Sequence, residues 1–310
     1  MAHGHLHTNE HVHHGHAHGH ALPVSEQVNK AFIIGIALNL ISVVVEATAG
    51  LWYDSLALLS DAGHNLSDVI SLVLALLAFR MAKVKPNSRY TYGYKKSTVL
   101  VSLLNAIILL VAVGIILAES IEKLRNPQPI AGGVIAWVAG VGILINAFTA
   151  FLFLKDKERD LNIKGAYLHL MADALVSVGV VISGVIISYT HWYIIDPIIG
   201  IAIAIVILVS TWNLLRDSLR LSLDGVPAGI SAEKIRKLLL QVDGVREIHH
   251  LHIWALSTTQ NALTAHVVVA SLEDGEAVKN RIKEILSEEH IPHATLELET
   301  AAECCTDRTD

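Results

Sequence analysis

Six long apolar stretches dominate residues 30–220 of the chain. Each approaches or exceeds the ~20 apolar residues that a helix needs to cross a bilayer. They cover residues 31–52, 56–81, 97–119, 130–154, 165–189 and 194–215. The pattern predicts an α-helical membrane domain with six transmembrane helices, which places both ends of the chain on the same side of the membrane.

The pattern changes after residue 220 to that of a small soluble domain. Ser231 and Asp274 are candidate N-caps, each followed by a segment with helical periodicity. The predicted helices are 231–241 and 275–289, and the predicted strands are 245–256, 261–271 and 295–300. The order α-β-β-α-β predicts a small α+β domain over residues 221–300, ferredoxin-like or metallochaperone-like, with two helices on one side of a sheet.

The two ends of the chain form separate segments. Residues 1–29 are polar and His-rich, lack the apolar core of a signal peptide, and are predicted to be disordered and to bind transition-metal ions loosely. An affinity tag is the alternative, although the histidines are interrupted. These histidines are His3, His5, His7, His11, His13, His14, His16, His18 and His20. Residues 301–310 form a C-terminal tail with the vicinal pair Cys304 and Cys305.

Composition agrees with a membrane protein. Hydrophobic residues make up 53%, charged residues 17%, and the mean hydropathy is +0.50, which is too apolar for an ordinary soluble domain. Lysine and arginine concentrate in the loops after the second and fourth stretches, so these loops and both termini are predicted to be cytoplasmic. A net charge of −6 gives no reason to expect a nucleic-acid partner.

The second and fifth stretches each contain a His-x-x-x-Asp motif: His64 with Asp68, and His169 with Asp173. This spacing places each imidazole and carboxylate on one helical face, so two packed helices could offer four ligands to a tetrahedral Zn²⁺. Ionisable groups in a membrane cost roughly 2.5 to 3.5 kcal/mol each, which favours a functional role. The structural alternative is that each His bonds its own Asp.

Other polar residues in these stretches are less specific. Asp61 lies three residues before His64 and is a candidate partner of an imidazole, a proton relay, or a carboxylate that lines a cavity. Glu46 in the first stretch is a candidate cavity residue. Asn39, Asn105 and Asn146 are predicted to form hydrogen bonds between helices.

The first strand of the soluble domain contains the run HHLHIW at residues 249–254. Regular alternation places His250, His252 and Trp254 on one face, and His249 with its apolar neighbours on the other. The second strand contributes His266. A strand histidine can simply satisfy backbone groups, so a structural role stays open for both His249 and His266.

Together, the six stretches, the paired His-x-x-x-Asp motifs, the His-rich tail and the HHLHIW run resemble the cation diffusion facilitator family, and its zinc-transporting branch in particular. The resemblance covers nearly the whole chain. It implies a homodimer in the cytoplasmic membrane that exports divalent metal, most readily Zn²⁺, in exchange for protons. The implied transport ligands are His64, Asp68, His169 and Asp173.

The resemblance also implies a zinc site in the cytoplasmic domain, at His249 and His266, with Glu299 as the matching carboxylate and Cys304 and Cys305 as weaker matches. Lys96 matches a family lysine that pairs with an acidic residue after the sixth span. Its candidate partner at the hinge is Asp224. An extra metal site that some members carry between the second and third spans is not expected here, because residues 81–96 contain no histidine.

Two other classes of function compete with transport. A membrane-tethered zinc sensor would use the cytoplasmic domain and tail, but six spans with buried ligands exceed what an anchor needs. A membrane metallohydrolase would need an open metal position and a general base, and the sequence has no H-E-x-x-H motif. Cd²⁺ and Co²⁺ accept the same ligands as Zn²⁺, so selectivity stays open.

Overall fold

Six long helices precede a small α+β unit in the computed structural model, which describes residues 26–52, 56–126, 134–190 and 192–300. The six helices are α1 Glu26–Trp52, α2 Leu56–Ala82, α3 Ser97–Arg125, α4 Val134–Phe153, α5 Leu161–Thr190 and α6 Ile195–Ser222. They coincide with the six predicted apolar stretches. Most extend beyond the apolar residues at one or both ends, because helical hydrogen bonding continues into polar sequence at the membrane boundary.

Helices α1, α2, α5 and α4 form a ring in which each helix contacts the next, and α3 and α6 pack as a pair against α2 and α5. A buried aromatic group joins three helices of the ring: the Phe32 ring centroid lies 4.7 Å from that of Phe153 and 5.6 Å from that of Phe79. The α3–α6 pair contains a hydrogen bond of 2.7 Å between the hydroxyls of Ser102 and Ser218. The packing therefore brings α2 and α5 side by side.

Polarity within the helices is reversed relative to a soluble protein. Large apolar side chains such as Leu144, Phe151 and Val111 are exposed on the outside. Asp68 and Glu46 are buried. Three stretches of the described chain are each long and apolar enough to cross a bilayer, namely Asn29–Ala49, Ser97–Arg125 and Pro197–Ser222. This arrangement suits a helical domain surrounded by lipid.

The C-terminal unit has the predicted order α-β-β-α-β. Its elements are α7 Ala232–Leu240, β1 Val245–Ala255, β2 Asn261–Val269, α8 Gly275–Glu288 and β3 His293–Thr300. The sheet order is β1-β2-β3, with β1 antiparallel and β3 parallel to β2. Leu239 of α7 and Ile282 of α8 pack with Leu263 and Val267 of β2 in one buried core, so both helices cover the same face.

The two predicted N-caps differ in outcome. The Ser231 hydroxyl accepts a hydrogen bond of 3.3 Å from the Lys234 amide at the start of α7, which confirms the predicted cap. Asp274 occupies the N-cap position of α8, but its side chain makes no capping hydrogen bond. The charge of Asp274 still lies near the positive end of the helix dipole.

A β-bulge in β1 overturns the predicted alternation. The pairing of β1 with β2 shifts between His249 and His252, and His250 has a positive φ of 48°. Ile248 and Ile253, five residues apart, consequently both face the helix-covered core. The prediction that His249 shares a face with Ile253 was wrong, since His249 lies opposite His266 on the helix-free face of the sheet.

Lys96, at the start of α3, joins the helical domain to the C-terminal unit. Its ammonium group donates to an Asp224 carboxylate oxygen at 2.5 Å, to the Leu221 carbonyl at 2.8 Å and to the Ala255 carbonyl at 3.1 Å. Asp224 has a positive φ of 56° just beyond α6, where the Leu221 carbonyl lacks the next turn of helix. Lys96 therefore binds the predicted acidic partner and two backbone carbonyls that the sequence did not indicate.

We expect Lys96→Ala to destabilise the protein more than Asp224→Ala. Loss of the exposed ion pair alone costs about 0.5 kcal/mol. Loss of the ammonium also leaves two part-buried carbonyls without their donor, and adds about 2 kcal/mol. Thermal unfolding in detergent micelles would measure both variants.

The double reversal Lys96→Asp with Asp224→Lys provides the control. A carboxylate at position 96 cannot donate to the carbonyls of Leu221 and Ala255, so we expect it to restore little of the lost stability. Full restoration would mean that the ion pair alone matters.

Candidate metal sites

Asp68 of α2 and His169 of α5, which are buried, and Asp173 of α5, which is half-buried, form one group inside the helical domain. Their potential ligand atoms all lie within 4.8 Å of one another. Nε2 of His169 is in direct contact with Oδ1 of Asp68. Two carboxylates and an imidazole at this separation could close around one divalent ion.

The two helices explain why these side chains meet. α2 and α5 are neighbours in the ring, and His169 and Asp173 are one helical turn apart on α5. His169 contacts the carboxylate of the opposite helix, which goes beyond the alternative in which each motif merely closes on itself. His64 precedes Asp68 by four residues on α2. The side chains of His64 and Asp61 lie outside the described residues.

A second buried polar group lies beside the first and connects α1 with α2. The Glu46 carboxylate accepts hydrogen bonds from the Ser42 hydroxyl at 2.9 Å and from the Asn65 side-chain amide at 2.6 Å. Asn65 lies three residues before Asp68, on nearly the same face of α2. Asn65 was missed in the sequence, where an isolated Asn carries little signal.

The three asparagines that were predicted to form hydrogen bonds between helices do not show those bonds. The Asn39 side-chain amide donates to the Gly35 carbonyl on its own helix at 2.9 Å. Asn105 and Asn146 are buried, and among the described residues neither has a hydrogen bond to another helix. The predicted hydrogen bond between helices is therefore wrong for Asn39, whose side-chain amide bonds within α1.

The C-terminal unit holds the second candidate metal group, which consists of His249 of β1, His266 of β2 and Glu299 of β3. Their potential ligand atoms also lie within 4.8 Å of one another. Nδ1 of His266 is 2.5 Å from a Glu299 oxygen, and Nε2 of His249 is 3.4 Å from the other. The paired strands place these three residues on neighbouring positions of the helix-free face.

His249 is the clearest indication that this group suits a metal ion. Its side chain is buried, yet neither ring nitrogen makes a hydrogen bond with any described residue. A buried nitrogen without a hydrogen bond is costly, and a coordinated cation would remove that cost. Two imidazoles and a carboxylate are ligands that Zn²⁺ accepts, so the residues present fit zinc.

His250 joins this group because of the bulge in β1. Its ring centroid is 5.3 Å from that of His249 and 5.1 Å from that of His266. Alternation had placed His250 on the opposite face from His249, so this prediction was wrong for a physical reason, the positive φ of 48°. Cys304, Cys305 and the nine histidines of the N-terminal tail lie outside the described residues.

The chain thus has a helical membrane domain with a group of carboxylates and an imidazole, attached to a small sheet domain with a second such group. This is the arrangement of a membrane protein that handles metal ions. Residues 32–221 match the family model of the cation efflux transmembrane domain. Residues 227–301 match that of the cation efflux protein cytoplasmic domain. The chain belongs to the cation efflux family, also known as the cation diffusion facilitators.

Curated relatives of the chain cover most of its length. The zinc transporter ZitB of Pectobacterium atrosepticum is 38% identical over 96% of this chain and 89% of its own. The cadmium, cobalt and zinc/H⁺-K⁺ antiporter of Bacillus subtilis is 36% identical over 84% and 85%. The metal cation efflux system protein CzcD of Cupriavidus metallidurans is 35% identical over 86% and 85%.

The group of His249, His266 and Glu299, which we call the cytoplasmic group, leads to a prediction about zinc binding. We expect His266→Ala to weaken zinc binding at this group at least about a hundredfold, more than loss of an outer partner of a ligand costs. The measurement is a zinc titration of the protein that lacks residues 1–20 and carries Asp173→Ala, so that neither the histidine-rich tail nor the group within the helical domain contributes.

His252→Ala is the matched control, because His252 is an exposed histidine of the same sheet, on β1 next to the strand that carries His266. It should leave the affinity unchanged. Equal weakening by both variants would show that the histidines act only through the fold of the sheet.

Proposed function

We propose that this protein is a transporter, not an enzyme, that exports divalent metal ions, Zn²⁺ above all, in exchange for protons. Asp68, His169, Asp173 and His64 would hold the ion within the membrane. The observation that carries the proposal is the close approach of Asp68, His169 and Asp173 within the helical domain. The names of the relatives, which are zinc transporters and an antiporter of cadmium, cobalt and zinc, support it.

Charge explains how such a site could load and release. Two carboxylates and two neutral imidazoles balance a divalent cation, so the loaded site is less costly in a membrane than the empty deprotonated one. Protons compete with zinc for the same oxygen and nitrogen atoms. Protonation from the far side would therefore help to expel the ion.

The mechanism that suits this charge balance is alternating access. Zinc would reach the ligands from the cytoplasm while α2 and α5 are open on that side, and rocking of the helices would then expose the site to the opposite side. Glu46, which binds Asn65 beside Asp68, would hold α1 and α2 together near the ligands. Asp61 would act as a neighbouring carboxylate or proton relay.

The topology that fits this function has six crossings over residues 30–220, with both termini in the cytoplasm and the protein in the cell's inner membrane. The excess of basic residues in the loops after α2 and α4 supports that orientation. The His-rich segment 1–29 would collect metal ions loosely on the cytoplasmic side. The tail 301–310 would add Cys304 and Cys305 as further soft ligands.

The domain over residues 221–300 would bind Zn²⁺ at His249, His266 and Glu299 and pair with the same domain of a second copy. The match to the cytoplasmic domain of cation efflux proteins supports this assembly as a homodimer. Lys96 and Asp224 would lie at the hinge between the two domains. A tethered sensor would use the same cytoplasmic domain, but it would leave the buried ligands of α2 and α5 without a task.

Zinc flux into proteoliposomes tests the proposal. An acidic lumen should drive zinc uptake by the intact protein. Asp173→Ala and His169→Ala should reduce uptake to the level of empty vesicles, because each removes a ligand from the buried group. Deletion of residues 1–20 should leave uptake driven by the pH gradient in place.

The controls separate transport from binding. His252→Ala, at an exposed histidine of β1, should transport as the intact protein does. Absence of flux in correctly folded intact protein that still binds zinc would contradict the proposal and favour the sensor.

A further inference from the structure

Asp160, immediately before α5, accepts hydrogen bonds on both oxygens of its carboxylate. One carboxylate oxygen, Oδ1, accepts from the amides of Asn162 at 2.7 Å and Ile163 at 3.3 Å, which makes Asp160 the N-cap of α5. The other oxygen, Oδ2, accepts from the hydroxyl of Thr258. Thr258 belongs to the connection between β1 and β2, in the cytoplasmic domain. A single carboxylate thus begins a membrane helix and holds a loop of the other domain.

Burial makes this arrangement dependent on its donors. The Asp160 side chain is only 4% exposed. Desolvation raises the pKa of its carboxyl above the ordinary value, while the hydrogen bonds from Thr258, Asn162 and Ile163 oppose that rise. Loss of the Thr258 hydroxyl would leave one oxygen of a buried carboxyl without this donor.

Two further hydrogen bonds close the arrangement through α3. The Thr258 amide donates to the Thr98 hydroxyl at 3.1 Å. The side-chain amide of Asn162 donates to the Thr98 carbonyl at 2.9 Å. We call Thr98, Asp160, Asn162 and Thr258 the cap cluster. It joins the starts of α3 and α5 to the β1–β2 connection.

The connection itself is held in shape and packed against the helices. The amides of Leu256 and Ser257 donate to the Gln260 carbonyl at 2.8 and 3.2 Å, which closes residues 256–260 into a turn. Ala255, at the end of β1, is buried with Val99 of α3 and Leu221 of α6. The turn therefore meets the ends of three membrane helices at a fixed position.

α5 connects the cap cluster to the membrane ligands His169 and Asp173. The helix is continuous from Leu161 to Thr190. His169 follows Asp160 by nine residues, about 13 Å along the helix at ~1.5 Å per residue. Asp173 follows one turn later. Asp68 stands on α2, which contributes no residue to the cap cluster. A shift at the start of α5 would therefore move two ligands relative to Asp68.

We infer that Thr258 and Asp160 are positioning residues for the membrane metal site, and that the β1–β2 turn holds α5 so that His169 and Asp173 meet Asp68. The inference rests on the proposed function. It assigns a task to a turn that lies at the end of the same two strands that carry His249 and His266. The turn is thus a physical link between the two candidate metal groups.

The test compares three substitutions in the full-length protein. Thr258→Val removes the hydroxyl and keeps the shape of the side chain, and Thr258→Ser keeps the hydroxyl. Thr259→Val is the matched control at the neighbouring exposed threonine. The measurement is zinc uptake by proteoliposomes over a range of zinc concentrations at a fixed pH gradient.

We expect Thr258→Val to raise the zinc concentration at half-maximal uptake about tenfold, as loss of a hydrogen bond to a buried carboxylate allows. The maximal rate should change by less than about twofold, since the ligands themselves remain. Thr258→Ser and Thr259→Val should behave as the unmodified protein. A merely structural role would lower the maximal rate, through loss of folded protein, without moving the half-maximal concentration.

Two outcomes would count against different claims. If the unmodified protein transports zinc and Thr258→Val has the same half-maximal concentration, the positioning role is wrong. If the unmodified protein does not transport, the proposed function fails first. Hydrogen exchange at the amides of Asn162 and Ile163 then still tests the cap cluster, since Thr258→Val should speed their exchange and Thr258→Ser should not.

Discussion

The cost of charge within an apolar helical domain is the constraint from which the rest of the structure follows. Asp68 and His169 are buried, and their contact across α2 and α5 offsets part of the cost of removing them from water. These residues lie on two neighbouring helices of the ring, while apolar side chains such as Phe151 are exposed on the outside. A group with this charge could take up a divalent cation or protons, but not both on the same lone pairs.

α5 is the element that connects the parts of the protein. It carries His169 and Asp173, packs against α2, α3, α4 and α6, and starts at a carboxylate that also binds the cytoplasmic domain. Lys96 gives the same junction a second attachment, at the end of α6 and the end of β1. The helical domain that holds Asp68, His169 and Asp173 is therefore joined by direct hydrogen bonds to the domain that holds His249, His266 and Glu299.

The sequence predicted the features that depend on long or repeated patterns. Six apolar stretches, two His-x-x-x-Asp motifs and the α-β-β-α-β order are each encoded by periodicity that spans many residues. The sequence did not predict a feature that depends on a single backbone angle. The positive φ of His250 reverses the side-chain alternation of β1, and a bulge leaves no periodic signal. The carbonyl partners of Lys96 and the amide of Asn65 could not be predicted, because those contacts join residues far apart in the chain.

Proton release on zinc binding tests the central claim most directly. The protein should lack residues 1–20 and carry His249→Ala, His266→Ala, Cys304→Ser and Cys305→Ser, so that Asp68, His169 and Asp173 with His64 remain as the candidate zinc ligands. Zinc binding should then release protons into a weakly buffered solution, in an amount that falls as the pH rises, and Asp173→Asn should abolish both binding and release. Zinc binding without proton release, or release unaffected by Asp173→Asn, would contradict a site at which metal and protons compete.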